Sequence, residues 1–403
     1  MRRTRQYPPP RKQPDVDEYA DISRIENFKL PCDDQDVSPL FNVLPGEIRD
    51  LIYAYTLSDF EDLTHPYDLE TCYRRPGYMA ARKTETSLVR TCQKIYSEAW
   101  FLVWTQAQHT FFLTADGRKP TKTTDHEQMA RTSQLIERLH PDTPTRRKEV
   151  HSIQIFAQLY MLEPGAHLNS LLQIPHFLPR TITITLRHTD IWYWEQDHPI
   201  HVNTPWVHLA RFPTSVTKLR IQFESTERRK PQVDYVINRA REEWFFQRID
   251  DVHLVPDTDH SPEHLRWSGS STWEGRRWIR DEDDQEPGIL HYYLATLSFK
   301  PANIMDDAVG YDERKKRTPH KIQVPPDIAA KTHIPGGSGR NARLPARNLE
   351  QAGVTAKTPA SEALRLHQEW NETWLAQRRK LGTERRAAWL QSMGLLQPHR
   401  GQQ

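Results

Sequence analysis

A chain of 403 residues has room for two or three domains. A hydrophobic share of 36%, a mean hydropathy of −0.79 and 30 prolines against 15 glycines exclude one uniform globule. A folded centre flanked by charged, Pro-rich, disordered segments is expected instead. The net charge of +2 gives no global field of the kind a dedicated nucleic-acid binder carries.

Cys32, Cys72 and Cys92 are odd in number, scattered and without C-x-x-C spacing, which points away from a disulfide framework or zinc site and towards a reducing compartment. The basic start Met1-Arg-Arg-Thr-Arg5 leads into prolines rather than an apolar signal core. No run approaches the roughly 18 apolar residues of a membrane span, so a soluble cytoplasmic or nuclear protein, without membrane contact, is expected.

Residues 1–38, with Pro8, Pro9, Pro10, Pro14 and Pro31, read as a disordered basic and Pro-rich arm. A helical module follows over 39–115. In Leu44-Pro-Gly-Glu-Ile-Arg-Asp-Leu-Ile-Tyr-Ala-Tyr-Thr-Leu57, Pro45 suits the first helical position, where its missing N–H costs nothing. Ile48, Leu51, Ile52 and Tyr55 then fall at i, i+3, i+4, i+7 and form one apolar face. A second helix opens near Ser87 as its cap, with Leu88, Cys92, Ile95, Ala99 and Leu102 as its stripe and Trp104 beyond. Neither helix buries a stripe alone, so the two are expected to pack on each other. His109–Leu113 is a short strand, closed by Asp116-Gly117.

The polar stretch 116–149 reads as a linker or loose excursion, and an α+β domain spans 150–299. Ile153–Leu162 is apolar and fits strand or helix equally, whereas Thr181–Leu186 alternates strictly, as do Leu219, Ile221 and Phe223. Pro231 opens a helix with the stripe Val233, Val236, Ile237, Ala240 and Trp244, and Ile289–Phe299 is a further strand. A mostly antiparallel or mixed sheet is expected. Residues 300–357 read as a disordered linker. Thr358-Pro359 then caps a helical basic tail over 358–397, with Leu364, His367, Trp370 and Trp374 on one side, followed by Arg378-Arg-Lys380 and Arg385-Arg386.

The run Phe41-x-x-Leu44-Pro45-x-Glu47-Ile48-Arg49-x-x-Ile52-Tyr53, followed by Leu88-Val-Arg-Thr-Cys-Gln-Lys-Ile95-Tyr96-x-Glu98-Ala99, resembles the fungal F-box-like families, including those named for two E-x-R motifs. The resemblance covers roughly residues 41–113. Its first E-x-R is intact as Glu47 and Arg49; in the second, Glu98 is followed by Ala99 and Trp100. It implies a protein-interaction module that docks to a ubiquitin-ligase adaptor, with Leu44, Pro45, Glu47, Ile48, Arg49, Ile52 and Tyr53 as the partner-binding set. The residues alone ask for less. Leu44 and Ile48 serve as anchors, Glu47 favours the positive helix start, and Arg49 pairs with a carboxylate or lays its stem along apolar surface. Any apolar remainder left exposed is what a partner would use.

Other chemistry is thinly supported. His198-x-x-His201 contains Pro199 and His260-x-x-x-His264 contains Pro262, so neither is a helical ligand pair, and no metal or cofactor is expected. Nucleophile-elbow, phosphate-loop and H-E-x-x-H motifs are missing, which favours a non-enzymatic protein; Asp190, Glu195 and Asp197 carry the residual enzyme reading. The runner-up is a nuclear, nucleic-acid-associated protein using Arg314-Lys-Lys-Arg317 and the basic tail beside Trp370 and Trp374. Arg187, Asp190, Trp192, Trp194 and Glu195 form the densest mixture of charge and aromatics in the central domain and are its candidate surface. An unbroken strand would place Trp192 and Trp194 in the core with Ile182, Ile184 and Leu186. A turn at His188-Thr-Asp190 would reset that register and expose an aromatic platform.

Overall fold

A computed structural model describes residues 33–302, 321–334 and 342–393; the arm expected over 1–38 lies outside them except for residues 33–38. Helix α1 (Gly46–Thr56) begins one residue after Pro45. The Pro45 carbonyl accepts from the amides of Ile48 and Arg49 at 3.1 and 3.2 Å, so the proline caps the helix rather than entering it. The polar insertion that follows is an antiparallel hairpin, β1 (Asp59–Pro66) and β2 (Ala80–Thr84). Helix α2 (Gln93–Thr105) opens at Cys92 after a tight turn at Leu88–Arg90, later than the Ser87 cap expected. As expected, α1 and α2 pack on each other, through Tyr53, Leu57, Ile95 and Ala99.

Strand β3 (His109–Leu113) runs parallel to β4 (Val150–Ala157), with His109 opposite Ile153 and Leu113 opposite Ala157. The boundary expected at 115 therefore moves: the end of the helical module is the edge strand of the central sheet. Residues 116–149 are also more ordered than a linker. They contain helix α3 (His126–Leu139), capped by Asp125, whose side chain accepts from the Gln128 amide at 2.6 Å. Met129 and Ser133, at i and i+4, are its buried residues, and so narrow a stripe leaves the segment polar on average.

The ambiguous Ile153–Leu162 divides into the end of β4 and a helical turn at Leu159–Leu162. Helix α4 (Ala166–Leu172) leads to β5 (Pro179–Leu186), β6 (His201–Asn203), helix α5 (Pro205–Leu209), β7 (Arg211–Phe212) and β8 (Lys218–Thr226). Helix α6 (Lys230–Glu243) buries Val233, Val236, Ile237 and Ala240 as its spacing demands, with Trp244 buried just beyond. Then come β9 (Phe246–Arg248), β10 (His253–Pro256), β11 (Glu263–Ser270), β12 (Thr272–Trp273), β13 (Arg276–Trp278) and β14 (Ile289–Pro301).

The main sheet runs β3-β4-β5-β8-β14-β10-β9-β7, with β11 also paired to β14. Its first four strands are parallel and β14 is antiparallel to β8, which makes it a mixed sheet and the fold α+β. Strand β14 joins the two halves. One edge pairs with β8 from Tyr292 to Phe299, while the other pairs first with β11 and then with β10. Ile153, Ile155, Ile182, Ile184, Leu219 and Ile221, from the three central parallel strands, are all at most 1% exposed and form the middle of the largest core cluster.

The linker expected over 300–357 is corrected where it is described. Strand β15 (Lys321–Gln323) pairs with β6, placing Ile322 opposite Val202, and Ile322 and Val324 are buried. Helix α7 (Pro326–Thr332) follows; β16 (Arg343–Pro345) pairs with β13, and helix α8 (Ala346–Gln351) buries Leu349. Average composition misleads here because a few apolar side chains each enter a pocket built by distant elements. Residues 303–320 and 335–341 lie outside the described residues. Helix α9 (Ala360–Ser392) starts after Pro359, and Ala360 and Ala363 pack near Ile279, Leu344 and Leu349. Among the described residues no helix is long and apolar enough to cross a membrane.

A chain ending at Ala302 would uncover Val202 and Ile279. We expect it to melt at least several degrees below the full chain; equal melting in a thermal scan would show that the segments after 320 add nothing to the core.

Candidate interaction surface

The inner face of α1 is set by Arg49, Tyr53 and Leu57, spaced one turn apart. Arg49 grips Glu98 of α2 with two bonds, Nη2 to Oε1 at 2.8 Å and Nε to Oε2 at 3.0 Å, and donates from Nη1 to the Leu44 carbonyl at 2.9 Å. The Tyr53 hydroxyl donates to Glu98 Oε2 at 2.8 Å. Burial opposes ionisation of Glu98, but the bonds from Arg49 and Tyr53 prevail and hold its carboxyl below the ordinary range. The arginine of the first E-x-R motif is thus paired with the glutamate of the second. Ala99, which stands after that glutamate, is fully buried between the helices.

With that face inward, the row Ile48, Leu51, Ile52 and Tyr55 is 43%, 55%, 36% and 83% exposed, and Val43 just before the helix is 71% exposed. These residues were expected to meet α2, and their exposure corrects that expectation. The reason is that Arg49 and Tyr53 offer α2 long apolar bodies whose polar tips are satisfied by one carboxylate. Of the expected partner-binding set, Pro45, Glu47, Ile48 and Ile52 lie on the surface; Leu44 is half-buried, and Arg49 and Tyr53 are turned inward. Beside α1, Asp50, Glu98, Phe101, Arg146, Arg147 and Arg180 line a groove of about 470 Å³.

The central-domain candidates fare differently. A turn does form at His188–Asp190, yet Arg187 and Asp190 are buried against each other, with Nε to Oδ2 at 2.6 Å and Nη2 to Oδ1 at 3.1 Å. Trp194 is 6% exposed and packs with Trp273, Trp278, Leu290 and Tyr292. Trp192 is half-buried and donates to Glu163 at 2.9 Å, and Glu195 pairs with Arg343 at 2.6 Å. The aromatic platform is therefore corrected to core. The turn resets the register, but β12 and β13 bring Trp273 and Trp278 over Trp194. Asp197 is likewise committed, to Arg228 at 2.8 Å.

This region closes the C-terminal edge of the parallel strands, where open α/β sheets usually hold ligands. Arg75, from the loop between β1 and β2, lies 2.7 Å from Glu224 at the end of β8, both side chains being buried. The space left between Cys72, Arg187, His188, Glu224, Trp267 and Tyr292 is about 30 Å³, room for a water rather than a substrate. Burial pushes the Cys72 thiol up and the His188 imidazole down to about 3, and His188 Nδ1 lies 3.0 Å from Ser225 Oγ. A second pocket, about 280 Å³, lies over Tyr293, but its Lys230 is paired with Asp234 and its Arg266 with Glu227. His260 pairs with Asp257 and His264 with Tyr293, and among the described residues no three His, Cys, Asp or Glu side chains are placed to hold a metal. Comparison of the chain with protein-family models, with curated proteins and with solved structures gives no match.

Removing the buried indole in Trp194→Ala is expected to cost about 3–5 kcal/mol and to lower the melting temperature sharply. A near-neutral change in chemical denaturation would contradict its core placement.

His188 also makes stability pH-dependent. Its folded value of about 3 lies below the ordinary 6.5, so the unfolded chain takes up the proton first as pH falls. Stability present above pH 6.5 is lost through the window from 6.5 to 3, about 2 kcal/mol by pH 5. Denaturant midpoints at pH 7 and pH 5 should converge in His188→Gln relative to the parent; the same pH slope in both would rule the imidazole out.

Proposed function

We propose that this is a non-enzymatic protein-interaction protein, an F-box-like recruitment adaptor that docks to a ubiquitin-ligase adaptor through the outward face of α1. One observation carries the reading: Ile48, Leu51, Ile52 and Tyr55 form an exposed apolar row on a helix whose other face is locked to α2. Exposed apolar residues at helical spacing suit insertion into a partner's groove. The motif resemblance over residues 41–113 supplies the class of partner. Further support comes from the sheet's C-terminal edge, which the chain fills with its own ion pairs and which leaves a substrate no room.

Because the row is exposed, it can be changed without touching the core. Ile48→Asp with Ile52→Asp should abolish co-elution with the ligase adaptor on size exclusion at micromolar concentration, while the melting temperature stays within a few degrees. Failure of the unaltered protein to co-elute would sink the adaptor reading. A shift of the protein alone to double its mass would assign the row to a second copy instead.

A further inference from the structure

Helix α9 leaves the body of the protein soon after it starts. Its buried residues are Ala360 and Ala363, and every residue from Glu372 to Arg386 is exposed. Between Asn371 and Met393 the sequence holds five basic residues, Arg378, Arg379, Lys380, Arg385 and Arg386, and two acidic ones, Glu372 and Glu384. At about 100° per residue, Trp374, Arg378, Leu381, Arg385 and Trp389 fall within roughly 80° of one another, at spacings of four, three, four and four. Glu372 lies off that face, Glu384 flanks it on one edge, and Arg386 and Arg379 flank it on the other. The Arg378 guanidinium sits 5.0 Å over the Trp374 ring, while Trp374, Leu381 and Trp389 are 40%, 56% and 57% exposed.

We infer that this stripe binds single-stranded nucleic acid, the arginines holding phosphates and Trp374 and Trp389 stacking on unpaired bases about 22 Å apart along the helix. The charge of the stripe selects a polyanion. Its order selects among polyanions. A helix lying in an anionic membrane surface separates its aromatic face from its basic face, whereas here both share one. A second copy fits no better: laid in register, parallel or antiparallel about Leu381 and Gly382, it sets arginine against arginine at positions 378 and 385. Duplex grooves offer phosphates but no unstacked bases for the tryptophans. The chain's overall charge of +2 is no obstacle, because five of the seven charged residues between Asn371 and Met393 are basic and the segment is exposed.

The test is fluorescence anisotropy of the full-length protein with a labelled 20-nucleotide oligo-uridine at 50 mM salt. Micromolar binding is expected, weakening about 50-fold on going to 200 mM salt for four phosphate contacts. Arg378→Glu with Arg385→Glu should weaken it at least about tenfold, and so should Trp374→Ala with Trp389→Ala, with melting unchanged because all four side chains are exposed. No binding at 50 mM salt would overturn the proposal. Equal binding of the tryptophan variant, or of a duplex of the same length, would overturn the single-strand assignment. Sedimentation with phosphatidylserine vesicles in the absence of oligonucleotide binding would transfer the stripe to a membrane surface.

Discussion

Arg75 is the side chain on which the joint between the N-terminal helices and the sheet depends. It sits in the loop between β1 and β2, meets Glu224 at 2.7 Å, and lies over the rings of Phe156 and Trp267 at 5.5 and 5.7 Å. Trp267 Nε1 donates to the same carboxylate at 2.9 Å. One buried guanidinium thus ties that loop to β4, β8 and β11. Such a pair adds little net stability over a well-packed apolar substitute, but losing one partner strands the other charge at a cost of about 3–5 kcal/mol. It is directional, which an apolar contact is not. Arg75 therefore fixes where the loop lies, and the loop in turn brings the Cys72 carbonyl within 3.5 Å of Arg187 over the strand ends.

That closure decides what kind of surface the protein can present. A sheet whose parallel strands end in an open crevice offers a small molecule convergent backbone groups and loops. Here the crevice is occupied by Arg187 with Asp190 and by Arg75 with Glu224, and the arginines beyond it, Arg228 and Arg280, serve Asp197 and Asp281. The exposed apolar row on α1 and the exposed basic length of α9 lie instead at the periphery.

What could be read from the sequence follows from where each element finds its partners. Thr181–Leu186, Leu219 to Phe223 and the stripe of α6 were legible because strict periodicity with β-branched or apolar residues needs no remote information. Helix α3 was not, since Met129 and Ser133 make too narrow a stripe to stand out. The burial of Trp194 depends on Trp273 and Trp278, and that of Ile322 on Val202, so neither could be seen in a local window. The orientation of α1 was misread for a different reason. Two rows have helical spacing, one of Ile48, Leu51, Ile52 and Tyr55 and one of Arg49, Tyr53 and Leu57. Hydrophobicity favours the first, yet the second wins because Glu98 satisfies both polar tips. Only the Arg49 side of that pair was readable, as an arginine in need of a carboxylate.

The same inversion constrains any partner proposed for α1. Eleven residues of helix span only about 16 Å, so the four apolar side chains can bury a few hundred Å², short of the roughly 800 Å² per side of a stable interface. A partner that binds through this row must therefore reach past it. Asp50, on the side of α1 turned away from the row, lines the neighbouring groove, so a partner using both would have to wrap around the helix. The groove is lined by Arg146, Arg147 and Arg180 together with Asp50, Glu98 and Glu149, so a partner entering it has to match charges of both signs. The apolar row would then supply the affinity, and the groove the selectivity, of a contact that reaches round α1.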